Sequence, residues 1–254
     1  KGLTMFQNLR KSKKLLLIAM TCATFAIAGC GSDSTKTTAD NGTSVTWSET
    51  FDGTKTDFAV KSAPTHAVSM SQATTEMMLQ LGLEDKMAGT AFKEEEIYPP
   101  LQAAYDKVKV LSDKWPSYEV FMSVKPDFAT GWPDSFSKRA IPADKMISQK
   151  VNIWIPESML STKADLETNF SDMIKLGEIF GVKPKAEEWV AGQRKTLAAI
   201  QDKLKDLPRK RVFIYDSEDG QPFTAFEGYT TNILKLIGAD NVMSGLGVDK
   251  TWAK

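Results

Sequence analysis

Apolar and polar positions change period along the chain, and the change is clearest at 184–207, PKAEEWVAGQRKTLAAIQDKLKDL. Trp189, Val190, Leu197, Ile200, Leu204 and Leu207 recur at roughly helical spacing with charges between them, and Pro184 suits a first helical turn. The spacing predicts one long amphipathic helix. At ~1.5 Å per residue it reaches ~30 Å or more, about the width of a small domain. The segments on either side read as separate α/β units, so this helix is expected to be a strut between two lobes.

Ahead of the strut, VTWSETF and TDFAV alternate around Asp52-Gly53 and predict a β-hairpin. HAVSM reads as a buried strand. SQATTEMMLQLGL then places Thr74, Met77, Met78 and Leu81 on one helical face, with Ser71 positioned to cap its start and Gly82 to end it. MAGTAF is the next strand. The alternation continues through a helix around 94–106, strand KVKVL, helix YEVFMSV, strand DFATGW, a helix at 138–149, strand VNIWI and a helix at 164–181. Short apolar strands each followed by a helix imply a mainly parallel sheet covered on both faces.

After the strut, RVFIY is expected to be a buried strand and GYTTNILKLIGA a helix. The run from Thr74 to Gly82 can be laid over the run from Thr230 to Gly238 without a gap, an internal echo that favours two lobes of related plan. The second unit shows one clear strand and one clear helix before the chain reaches TWAK, so it is expected to be incomplete, as in a C-terminally truncated fragment. The fold class is α/β: two Rossmann-like lobes, at 45–183 and 208–254, joined by the single helix at 184–207.

The first 44 residues follow a different pattern. Arg10, Lys11, Lys13 and Lys14 precede the apolar run LLLIAMTCATFAIAG and then Cys30, the layout of a secretory signal over 1–29 in which Met5 is a plausible start. Ile27-Ala28-Gly29-Cys30 resembles the lipobox of bacterial lipoproteins, in which the cysteine is lipidated and becomes the mature N-terminus. An ordinary cleaved signal and an uncleaved anchor are the alternatives, the second disfavoured because the apolar run is shorter than the ~20 residues that span a bilayer. On the lipoprotein reading Cys22 is lost, Cys30 carries lipid, and the small polar residues of 30–44 form a flexible tether.

Charge and composition narrow the functions. Across 254 residues, 32 Lys and Arg balance 32 Asp and Glu, which gives no general reason to expect nucleic acid as a partner. One histidine, His66, and two cysteines leave too few ligands for a site binding bare zinc or manganese. The sequence contains no GxSxG, GxxxxGK[ST] or HExxH, and no pair of carboxylates stands out. No catalytic residue and no metal ligand is assigned, and His66 reads as structural.

HAVSMSQATTEMMLQLGLEDKMAGTAF, YPP, KVLSDKWPSYEVFMSVKPDFATGW, KLGEIFG, and PRKRVFIYD with PFTAFEGYTTNILKLIGADNVM occur in this order. Together they resemble the substrate-binding lipoproteins of ABC importers for iron-siderophore complexes, haem and vitamin B12. The resemblance implies two α/β lobes joined by one long helix, a ligand held between them, no resident cofactor, and a monomer anchored outside the cytoplasmic membrane. It implies an ABC transporter permease as partner, docked through Glu119 and, at a spacing that differs by about one residue, Glu227. Either glutamate taken alone reads as a solvated surface carboxylate, the commonest fate of a Glu.

For the ligand, a ferric chelate, haem or a cobamide, the resemblance points to Trp115, with Trp132, Tyr98, Phe223 and Tyr229 as further aromatic candidates at strand ends and in the matching loop of the second lobe. For each aromatic alone, core packing is as good a reading. Trp154, inside VNIWI, is assigned to the core. Lys138 and Arg139 are placed to face an anionic chelate or, alternatively, solvent. An extracytoplasmic enzyme and a surface interaction module on the same scaffold are the competing functions.

Overall fold

The computed structural model describes residues 44–247 and 250–254, so the expected signal, Cys30 and nearly all of the tether lie outside the described residues. Strands β1 (Val45–Phe51) and β2 (Thr54–Val60) pair antiparallel around Asp52-Gly53, both at positive φ as a tight hairpin turn requires. Next come β3 (Ala67–Ser69), β4 (Met87–Ala91), β5 (Val110–Ser112), β6 (Phe128–Thr130) and β7 (Asn152–Trp154), all parallel in the order β5-β4-β3-β6-β7. The chain winds outward from β3 through β4 to β5, then returns to the other side of β3. The reversal falls between β3 and β6.

Helices cover both faces, as the strand–helix alternation predicts. Ala67 and Phe128 face a core with Met78, Leu81, Phe170, Leu176 and Val190, while their neighbours Val68 and Ala129 face a second with Met70, Phe121, Met146 and Ile153. Trp154 is buried as expected. Helix α1 (Gln72–Gln80) begins at Ser71, whose hydroxyl accepts from Thr74 N, and gives way to Gly82 at φ +64°. Helix α3 (Tyr118–Ser123) is capped in the same way by Ser117.

Two predicted helices shrink. The one expected at 94–106 is a 3-10 turn at Pro99–Leu101 running into α2 (Gln102–Tyr105). Pro99 and Pro100 are the cause, because a residue before proline is pushed out of the helical region, and Tyr98 sits at ψ 119°. The one expected at 138–149 is confined to α4 (Ala143–Ser148), which starts only beyond Pro142.

Helix α5 (Leu166–Ile179) opens with a reciprocal Asp165/Thr168 capping box and packs along the strut, α6 (Lys183–Leu204). The closest approach is at Gly177, where a Cβ would lie 2.7 Å from Ala186 Cβ. Ala186 and Val190 are buried there, and Trp189 meets Phe170 edge-on at 6.2 Å. Farther along, the apolar stripe loses its cover: Ile200 is 40% exposed and Leu207 59%.

The second unit contains more strands than the sequence pattern indicates. β8 (Lys210–Val212) pairs in parallel with β11 (Ala239–Asn241), and β9 (Tyr215–Glu218), β10 (Pro222–Ala225) and β12 (Trp252–Ala253) form an antiparallel sheet with β10 in the middle. The TWAK segment therefore supplies a strand. RVFIY is not the expected buried strand: it divides between β8 and β9, and Phe213 and Tyr215 are 45% and 57% exposed because nothing among the described residues packs over them.

Helix α7 (Tyr229–Leu236) and its terminal Gly238, at φ +76°, repeat the plan of α1 and Gly82. The echo extends to chemistry. Buried Thr75 Oγ1 lies 2.6 Å from Thr90 Oγ1 on the strand after α1, and buried Thr231 Oγ1 accepts from Asn241 Nδ2 at 2.7 Å on the strand after α7.

Candidate ligand-binding site

In an open parallel sheet the point where strand order reverses leaves a crevice beyond the carboxyl ends of the strands. Here the reversal is at β3 and β6, which approach so closely that a Cβ at Gly131 would lie 2.8 Å from Met70 Cβ. A cavity of about 520 Å³ opens at this end. The first unit lines it with Ala73 and Met77 of α1, Trp132 after β6, Ser158 and Met159 after β7, and Asn169 of α5. The second unit contributes Glu227, Tyr229 and Thr230 at the start of α7, with Thr251 and Trp252 at β12. A separate surface hollow of about 310 Å³, around Pro64, Asp127 and Asn152, lies at the amino ends of the strands.

Two buried networks fix the walls. Asp172, 5% exposed on α5, accepts from the backbone N–H groups of Glu157 and Ser158 at 2.9 Å each, which holds the loop after β7 in place. Burial raises the Asp172 pKa above the ordinary aspartate range, against those donors. Behind the same loop, Glu49 of β1 accepts from Ile155 N at 2.9 Å, and burial pushes its carboxyl up to about 7. Across the cavity, Asn241 donates to the Ala225 carbonyl at 2.8 Å and accepts from Met243 N. The following turn grips Glu227: Gly245 N donates to Oε1 at 2.7 Å, and Ser244 Oγ donates at 3.1 Å.

Of the residues singled out from sequence, Trp132, Tyr229 and Glu227 line this cavity. Burial, and then the Asp172 charge, raise the Tyr229 pKa. Tyr98 lines an adjoining space of about 600 Å³ with Glu76, Gln80 and Trp189, which shares Ala73, Met77 and Asn169 with the cavity. Phe223 stacks at 5.9 Å on Trp252, supporting that wall from behind. Trp115 stacks on Phe92 at 4.6 Å and donates from its indole to the Met70 carbonyl at the end of β3. Arg139 lines neither space, being exposed and paired with Asp134 at 2.6 Å.

Glu119 stands exposed in the first turn of α3. Hydrogen bonding to its own N–H and to Ser117, with Lys145 nearby, holds its carboxyl below the usual glutamate range. His66 is exposed and donates its backbone N–H to Asp127. Sequence reasoning missed Met77, Met159, Asn169 and Trp252 as wall residues; the strand-then-loop setting of VNIWIPESM was the available signal for Met159.

The periplasmic binding protein family model matches residues 68–254. The chain belongs to this family. Over 237 residues it is 27% identical to an uncharacterized ABC transporter substrate-binding lipoprotein of Bacillus subtilis, covering 91% of this chain and 73% of that protein. It is 25% identical over 190 residues to a vitamin B12-binding protein of Vibrio vulnificus, covering 74% of this chain and 65% of that protein. Among solved structures, a periplasmic binding protein from Veillonella parvula is 98% identical with a TM-score of 0.83, over 84% of this chain and 72% of the other. Family and relatives are solute-binding transport proteins, and the mixed α/β fold with a parallel sheet and a long connecting helix agrees with two-lobed binding proteins.

Proposed function

We propose that the protein is the solute-binding component of an ABC importer, capturing an iron complex (siderophore or haem) or a cobamide outside the cytoplasmic membrane and passing it to the permease. The observation that carries this reading is the 520 Å³ cavity walled by both units at the carboxyl ends of β3, β6 and β7. Aromatic walls from Trp132, Tyr229 and Trp252 suit a large, partly apolar chelate or macrocycle. The protein performs no chemistry on its ligand. Cys30 carries the lipid anchor, and the monomer docks on the permease through Glu119; Glu227, the second docking candidate from sequence, lines the cavity instead.

Titration of the protein with ferric siderophores, haem and cobalamin, followed by tryptophan emission, tests the capture step. Saturable quenching by one of these ligands is expected because Trp132 and Trp252 face the cavity. Turnover of a ligand, or no response to any, would overturn the reading.

A further inference from the structure

We infer that the cavity is built for a ligand that is uncharged or positively charged and that it rejects anionic ones. This inference rests on the reading of the cavity as the ligand site and narrows the ligands that reading admits.

Glu227 is the charged side chain among the residues lining the cavity, and Glu76 holds the same place in the adjoining space. Neither carboxylate has a cationic partner among the described residues. Glu227 is held by a serine hydroxyl and a backbone N–H, while Glu76 Oε1 accepts from Gln72 Nε2 and Tyr98 N. Such donors fix a carboxylate without cancelling its charge. Asp172, buried beneath the lining residue Ser158, has its pKa raised by burial, so the field in the cavity rests on Glu227 and Glu76. Charge in a cleft with low-dielectric walls is poorly screened and its field is focused into the cavity.

The opposing terms are smaller. The amino ends of α1 and α7 both open onto the cavity at Ala73 and at Tyr229 and Thr230. Each carries about half a positive charge, so Glu227 offsets the two together and Glu76 remains in excess. These ends suit neutral acceptors on the ligand, such as carbonyl oxygens. Arg139 is taken up by Asp134 outside the cavity, and Lys138 lines neither space.

The test uses two scaffolds, each offered with three charges: a linear ferric trihydroxamate with a free terminal amine, its acetylated form and its succinylated form, and cobalamin with an amine, amide or carboxylate on one side chain. On the scaffold that binds, affinity is expected to fall in the order cation, neutral, anion. Cation and anion should differ by roughly tenfold or more, and the cation should weaken as salt rises. Glu227→Gln should lower affinity for the cation several times more than for the neutral form, which a general packing defect would not do. Tightest binding of the anion, or an order insensitive to charge, would overturn the inference while leaving the cavity a ligand site. Absence of binding on both scaffolds counts against the ligand-site reading, and the inference falls with it.

Discussion

The side-chain amide of Asn232 donates to the backbone carbonyl of Ala164 at 2.7 Å. Asn232 belongs to α7 of the second unit, and Ala164 lies just before α5 of the first. The bond therefore crosses between units beside the cavity, in addition to the covalent link through α6. A single neutral hydrogen bond contributes ~1 kcal/mol net, enough to bias the relative position of the units but not to lock it. Asn232→Leu is expected to weaken ligand affinity by roughly three- to tenfold with overall stability changed by no more than ~1 kcal/mol. Paired measurements by titration and urea denaturation check the split.

Glu49 gives a pH dependence with a definite sign. Its carboxyl is raised from the ordinary 4.5 to about 7 in the folded protein by burial. The native form then binds a proton more tightly than the unfolded chain, so stability from this group is fully present below about pH 4.5 and is lost as pH rises through 7. The full loss is about 3 kcal/mol. Glu49→Gln keeps an acceptor for Ile155 N and should flatten the decline between those pH values, leaving the variant more stable than the parent at pH 8. Urea midpoints across the range decide it.

Two helical glycines should respond to alanine in opposite directions. Gly192 on α6 has nothing within 4 Å of where a Cβ would stand, so Gly192→Ala should stabilise by ~0.5–1 kcal/mol through helix propensity. At Gly177 the added methyl meets Ala186 at 2.7 Å, and Gly177→Ala should cost ~1–3 kcal/mol despite the same propensity gain. Thermal denaturation of the two variants separates propensity from packing.

Trp252 and Glu119 should divide capture from delivery. Trp252→Ala removes an aromatic wall of the cavity and is expected to weaken ligand binding by at least ~30-fold, in the range of a buried aromatic anchor. Glu119→Ala, in the exposed first turn of α3 and outside the cavity lining, should leave affinity within about twofold while slowing uptake and flattening its salt dependence. Binding in solution and permease-dependent uptake in reconstituted vesicles provide the two readouts.

The local parts of the fold were legible. Ser71, Ser117 and Gly82 mark helix ends through hydrogen bonds and backbone geometry that depend on a few neighbours, and the β1–β2 hairpin is encoded by Asp52-Gly53. Elements failed where a nearby proline outweighed periodicity, as at Pro99 and Pro142, or where an apolar pattern lacked a partner, as at Phe213. The cavity was only half legible. Trp132 and Tyr229 sit at ends of predicted elements, whereas Asn169 and Trp252 join the same wall only through contacts distant in sequence. Arg139 shows the limit from the other side: its charge is evident in the chain, but its pairing with Asp134 is evident only in three dimensions.

The helix α6 is a beam clamped at one end. Gly177 against Ala186 and Trp189 against Phe170 grip its first turns, while the outer turns past Arg194 have little to brace them among the described residues. Bending of such a beam is expected where the clamp ends, close to Gly192, which carries no side chain. The stroke expected of the second unit is then a shallow elastic deflection about that turn, restored by the helix's own hydrogen bonds, rather than free swinging on a loop.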